Sequence, residues 1–71
     1  MNKYLIIIEK TPTGYSAYSP DLPGCIATGI TRKELNQNMR EALQFHLDGL
    51  RLENFEIPTP INHAAYITVP A

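Results

Sequence analysis

Apolar and polar positions along this chain fall into blocks whose period changes midway. Tyr4-Leu5-Ile6-Ile7-Ile8 is apolar at both parities and rich in β-branched residues, the pattern of a central strand covered on both faces. Lys10-Thr11-Pro12-Thr13-Gly14 then reads as a turn, since Pro12 cannot donate to a ladder and Gly14 can supply a positive φ. Tyr15–Tyr18 predicts a short second strand that closes a hairpin with the first. Residues 19–25 predict a structured loop, and Ile26–Thr28 a third strand ended by Gly29. Short loops between three strands predict an antiparallel meander.

From Thr31 the period becomes helical. Glu34 follows Thr31 at capping-box spacing, in which each side chain satisfies a backbone N–H of the first turn. No proline interrupts the chain from there to about Glu53, and Gly49 is the only poor helix former. At 100° per residue, Leu35, Met39, Ala42, Leu43, His46 and Leu50 share one face, a stripe suited to packing across a sheet. Asn54 is a candidate left-handed C-cap. Pro58 and Pro60 stiffen an extended connector over residues 55–63. Residues 64–69 predict a last strand, ended by Pro70. The order β-β-β-α-β is that of an α+β domain, an antiparallel sheet with one long helix packed on it.

Length sharpens this. Seventy-one residues predict one domain, below the usual ~100 to 150, and a core that takes only roughly 60% of the chain's surface from water. Such domains gain stability from disulfides, metal or oligomerisation. Cys25 is the sole cysteine, so no disulfide forms within the chain, as expected in a reducing compartment. His46, His63 and Cys25 lack ligand spacing, so no metal and no cofactor is expected. A homo-oligomer, dimer or tetramer, is the remaining expectation. Six basic and seven acidic residues give a net charge of −1. Lys3, Lys10, Arg32, Lys33, Arg40 and Arg51 are interleaved with acids rather than striped, which disfavours direct DNA or RNA binding through phosphates. The apolar run at residues 4–8 is too short for a signal-peptide core or a membrane span, so a cytoplasmic protein without membrane contact is expected.

The segment Gly14-Tyr15-Ser16-Ala17-Tyr18-Ser19-Pro20-Asp21-Leu22-Pro23-Gly24-Cys25, followed by Gly29, Thr31 and Glu34, resembles the HicB family of small antitoxins. That family has a strand, then Pro-Asp-Leu-Pro-Gly-Cys, a short strand, and Gly-x-Thr-x-x-Glu opening a long helix. Glu41-Ala42-Leu43, Leu50 and the proline-containing connector also sit at family positions, so the resemblance covers nearly the whole chain. It implies a βββαβ partial RNase H-like fold. It also implies a partner, a HicA-type toxin with a double-stranded-RNA-binding fold that cleaves mRNA with a histidine. Two departures are Ser19, where many relatives carry a large apolar residue, and Lys33-Glu34-Leu35 in place of Glu-Glu-Ala. Many relatives add a C-terminal DNA-binding segment. With residues 1–71 read as a single domain, no such segment is expected here, nor is regulation of an operator.

The motif residues also have a plain physical reading. Leu22-Pro23-Gly24-Cys25 fits a type II turn, with proline second and glycine third. Asp21 is denied an Asx-turn because Pro23 has no N–H, so its carboxylate is free to accept from Gly24 or a later amide. Pro20, Asp21, Leu22, Pro23 and Gly24 therefore either just join two strands or form a rigid rim for a partner. Cys25 reads as a small buried hydrophobe, His46 as a core or interface histidine, and His63 as solvated. Phe45 and Leu52 lie seven apart and off the main stripe. Either Phe55 and Ile57 fold back over them, or they form an exposed patch that anchors an association.

Three functions compete. The first is an antitoxin that covers a toxin's catalytic histidine and basic surface, with Glu41, Asp48 and Glu53 complementing that charge. The second is a stand-alone homo-oligomeric binding module for RNA or a small ligand. The third is a metal-dependent nuclease, which needs clustered carboxylates. Glu9, Glu34 and Glu41 are available, but residues 64–69 contribute no acid, so no enzyme is expected.

Overall fold

A computed structural model describes residues 2–71. It contains β1 (Ile7–Thr11), β2 (Gly14–Tyr18), β3 (Ile26–Gly29) and α1 (Arg32–Leu52). The three strands form one antiparallel sheet in the order β1-β2-β3, with α1 packed mainly over β3 and β2. The expected meander and long helix are present.

The first strand begins three residues later than its apolar run suggests, and its neighbour explains why. The register pairs Ile7 with Tyr18 and Thr11 with Gly14. One step further, Ile6 and Leu5 would face Ser19 and Pro20. Pro20 has no N–H to offer, and the Ser19 N–H instead donates to the Cys25 carbonyl at 3.2 Å. The ladder stops there, and the Ser19 hydroxyl takes over by donating to the Leu5 carbonyl at 3.0 Å. At the other end, Lys10 and Thr11 belong to the strand rather than to the turn, which is confined to Pro12 and Thr13.

β1 is an edge strand, not the central one expected. Ile8, Ala17 and Ala27 align across the sheet on the helix side. Ile7, Tyr18 and Ile26 align on the opposite face, with Glu9, Ser16 and Thr28 beside them. The last expected strand is also missing from the single chain. Residues 64–69 form no strand, and all of them are exposed. With no partner strand, their β-branched side chains bury too little to fix a ladder.

The buried apolar core is small: Ala17, Leu22, Cys25, Leu35 and Met39. Tyr4, Ile6, Ile8, Tyr15, Ala27, Ala42, Leu43 and Leu47 pack around it. The helix contributes the row 35-39-43-47, which drifts about 40° per step around the axis. That drift brings Leu47, which the sequence stripe omitted, against the core; it is half-buried, as are His46 and Leu50. At the N-terminus, Thr31 Oγ1 accepts from the Glu34 N–H at 3.1 Å, while Glu34 Oε1 reaches the Ile30 N–H at 3.2 Å rather than that of Thr31. At the C-terminus Asn54 adopts φ 59°. The Asn54 and Phe55 amides donate to the Arg51 and Leu50 carbonyls at 3.1 and 2.9 Å, the paired bonds of a Schellman ending.

Candidate functional site

The loop between β2 and β3 is held from inside. The Cys25 N–H donates to the Leu22 carbonyl at 3.1 Å, and Gly24 sits at φ +84°, which makes residues 22–25 the expected type II turn. A second turn precedes it, with the Leu22 N–H donating to the Ser19 carbonyl at 3.2 Å. Leu22 is fully buried, and Ser19, Asp21 and Cys25 are nearly so. As a surface rim the motif is therefore reduced to half-exposed Pro20 and exposed Pro23 and Gly24. Leu22 is a core residue with no surface to present.

Asp21 works as a clasp. Its Oδ1 accepts from the Ile61 N–H at 3.2 Å and from Asn62 Nδ2 at 2.6 Å. The later amide allowed for in the sequence is thus Ile61, 40 residues away. Oδ2 is buried without a partner. Tyr4 adds a second tie, its hydroxyl donating to the Pro58 carbonyl at 2.7 Å. The connector is held against the start of the chain, and Ala64 and Tyr66 then line a shallow groove with Leu5–Ile8, Lys10, Tyr15 and Arg32.

Cys25 is free and buried, and burial pushes its thiol above the ordinary value of 9.0 by disfavouring the thiolate. Its thiol should therefore react with a disulfide reagent at pH 8 more slowly in the folded chain than in urea, because the thiolate is the nucleophile and burial both disfavours it and blocks access to it. Equal rates would place Cys25 at the surface. The sign for stability follows. Unfolding frees the thiol to ionise, so this contribution is complete below the ordinary thiol value and fades as pH rises through the raised one.

Among the described residues, no three His, Cys, Asp or Glu side chains converge as metal ligands would. Glu9 lies on the sheet face away from the helix, and Glu34 and Glu41 lie on the helix. His46 is half-buried and His63 exposed. No helix among the described residues is long and apolar enough to cross a membrane.

The structure leaves Phe45 and Leu52 uncovered. They are 82% and 85% exposed, and Phe55 just past the helix is 62% exposed, so nothing folds back to cover them. At 100° per residue, Glu34, Glu41, Phe45, Asp48 and Leu52 fall within an arc of about 60° on the helix side away from the core. Lys33, Arg40 and Arg51 gather on a different flank. Asp48 is oriented within this stripe by Gln44 Nε2 at 2.9 Å and Arg51 Nη1 at 3.2 Å. The seven-residue spacing puts Phe45 and Leu52 on one ridge, and the same 100° steps add Glu41 and Asp48 to it, which the expectation did not include.

This architecture can be set beside known proteins. The profile described as the HicB_like antitoxin of bacterial toxin-antitoxin systems matches residues 4–71. The chain belongs to the HicB-like antitoxin family. It is 40% identical over 70 residues to a UPF0150 protein of Thermoplasma acidophilum, covering 97% of this chain and 99% of that one. It is also 39% identical over 67 residues to an uncharacterized 14.9 kDa protein from the rep-hol intergenic region of Haemophilus phage HP1, covering 94% of this chain and 50% of the phage protein. The HicB-like chain thus spans about half the length of that phage relative. Among solved structures, a chain of a HicA3 and HicB3 toxin-antitoxin complex is similar at TM-score 0.73 and 37% identity, over 84% of this chain and 70% of that one. The α+β class, with one long helix on an antiparallel sheet, agrees with that HicB-like neighbour.

Proposed function

We propose that residues 1–71 act in the cytoplasm as a single binding domain that neutralises a HicA-type toxin by covering it, with no chemistry of their own. The observation that carries this reading is the ridge of Phe45 and Leu52, exposed on α1 and flanked by Glu34, Glu41 and Asp48. An exposed aromatic–aliphatic pair supplies the buried anchors of an interface, where a few residues hold most of the binding energy. Acids along the same ridge suit a partner whose surface is basic because it binds RNA, and such complementarity chiefly speeds encounter. The family relationship supports a toxin as the partner, and the similarity to a chain of a HicA3 and HicB3 complex supports direct contact. With a net charge of −1 and its cations not gathered into a basic stripe, the domain is not expected to bind DNA directly.

Co-expression with a HicA-type toxin encoded beside the gene is expected to yield a co-purifying complex and to lift the toxin's growth arrest. Phe45→Ala and Leu52→Ala should each weaken toxin binding about tenfold or more while leaving the fold intact, because both side chains are exposed. Association should slow as salt rises from about 50 to 500 mM, since screening cuts long-range attraction. A chain that neither binds the toxin nor restores growth refutes the reading.

A further inference from the structure

α1 lies over β3 and β2 and not over β1, so the residues leading into β1 meet the side of the helix along an open seam. Two adjoining cavities of about 270 and 240 Å³ occupy that seam. Tyr4, Arg40 and Leu43 line both, which makes them one groove. Its floor is apolar, with Ile6 and Met39 at one end and Leu47 and Ile57 at the other. Apart from Met39, these side chains are only half-buried and still show apolar surface to water. The Tyr4 hydroxyl donates to the Pro58 carbonyl at 2.7 Å. That bond holds Ile57 at the groove's edge and leaves the Tyr4 ring as part of the floor. The polar rim carries charge of one sign. Asn36, Arg40 and Gln44 follow one another at i, i+4 spacing along α1, where neighbouring side chains meet, and Arg51 closes the far end. Among the described residues no carboxylate lines either cavity. Arg51 already spends an N–H on Asp48 at 3.2 Å, whereas Arg40, at the middle of the groove, has no carboxylate partner among the described residues.

We propose that this groove binds a small amphipathic anion, a linear aliphatic carboxylate whose chain lies on Tyr4, Leu43, Leu47 and Ile57 and whose head group is held by Arg40. A guanidinium takes a carboxylate through two parallel N–H bonds, which are stronger than neutral ones. A mostly apolar cleft with a few polar groups converging on it is the usual form of a small-molecule site. Together the two cavities fall at the lower end of the roughly 300 to 1,000 Å³ that such sites span, which suits one narrow chain. The groove is also long for its volume, since Met39 to Leu47 covers about 12 Å of helix, and that shape favours a linear ligand over a compact one. Charge separates this groove from the helix ridge. A partner with a basic surface is drawn to Glu41 and Asp48 and opposed by Arg40 and Arg51, so the toxin and the anion use different sides of α1.

The test is an amide NMR titration of the full chain with octanoate, 1-octanol and octyltrimethylammonium as probes. Octanoate should shift the amides of Tyr4, Arg40, Leu43, Leu47 and Ile57 and leave those of Phe45 and Leu52 in place. It should bind about tenfold or more tightly than octanol, the scale of a hydrogen bond to a charged group. Arg40→Gln, at an exposed position where the fold is not at stake, should remove that advantage while octanol binds as before. Arg40→Glu should turn the preference over to octyltrimethylammonium. Phe45→Ala should leave octanoate binding unchanged, so the groove is read independently of the toxin-binding ridge, and loss of toxin binding alone leaves this inference standing. Three outcomes overturn it: no shifts with octanoate, octanoate and octanol bound equally, or Arg40→Gln binding octanoate as the wild type does. Sedimentation with anionic phospholipid vesicles in place of octanoate binding also overturns it, by assigning the arginines to a membrane surface.

Discussion

Leu35→Ala is expected to leave the chain mostly unfolded at 37 °C. Leu35 is fully buried in the first turns of α1, where it joins the helix to Ala17 and Leu22 in the core cluster. Truncating a buried leucine removes its transfer energy and leaves a cavity, together about 2 to 5 kcal/mol. A domain below ~70 to 80 residues holds roughly 3 to 5 kcal/mol in total from its core, so the loss is comparable to the whole. The small core also limits the repair, because only Ala17, Leu22, Cys25 and Met39 remain in its buried cluster. Urea titration followed by helical circular dichroism measures this directly. The transition should shift to near zero denaturant, whereas Phe45→Ala, at an exposed position on the same helix, should stay within ±0.5 kcal/mol of the wild type. A Leu35→Ala midpoint close to the wild-type value would mean that the core is organised around other residues. Both variants and the wild type are compared at one fixed protein concentration, because any self-association adds to measured stability.

What the sequence made legible was mostly what it encodes locally. Pro23 and Gly24 specify their turn by their own dihedral preferences, and Asn54 specifies the helix end in the same way. Thr31 announces the helix start because its hydroxyl meets an amide three residues on. The features it concealed are decided by residues far along the chain. The apolar run at 4–8 gives no hint that Pro20, on the facing segment, ends the ladder at Ile7. Strand order is equally non-local, and a run apolar at both parities does not by itself distinguish the edge position that β1 takes from a central one. Asp21 showed that its obvious turn was blocked, but its true partners lie 40 and 41 residues downstream. On the helix the reverse held. The 100° steps that place the core stripe also place the acidic–apolar ridge.

Gly29→Ala is expected to be nearly as damaging as Leu35→Ala, for a reason that concerns backbone rather than side chains. Gly29 closes β3 directly beneath the start of α1. A Cβ added there would lie 2.5 Å from the Leu35 nitrogen, 2.8 Å from its Cα and 3.1 Å from the Glu34 carbonyl carbon. All three are main-chain atoms, so no rotamer change relieves the overlap and the helix itself has to lift. Its first turn is not free to do so. The Thr31 cap and the Glu34 bond to Ile30 fix it from one side, and the buried Leu35 side chain fixes it from the other. Overpacking of this kind costs about 1 to 3 kcal/mol or more, delivered where the sheet and helix meet. Gly49→Ala is the matched control, since a Cβ at Gly49 meets nothing and alanine in a helix interior gains about 0.5 to 1 kcal/mol over glycine. Thermal melts of the two variants should therefore move in opposite directions from the wild type. If Gly29→Ala melts at or above the wild-type temperature, the close approach of β3 to α1 is not a feature of the protein in solution.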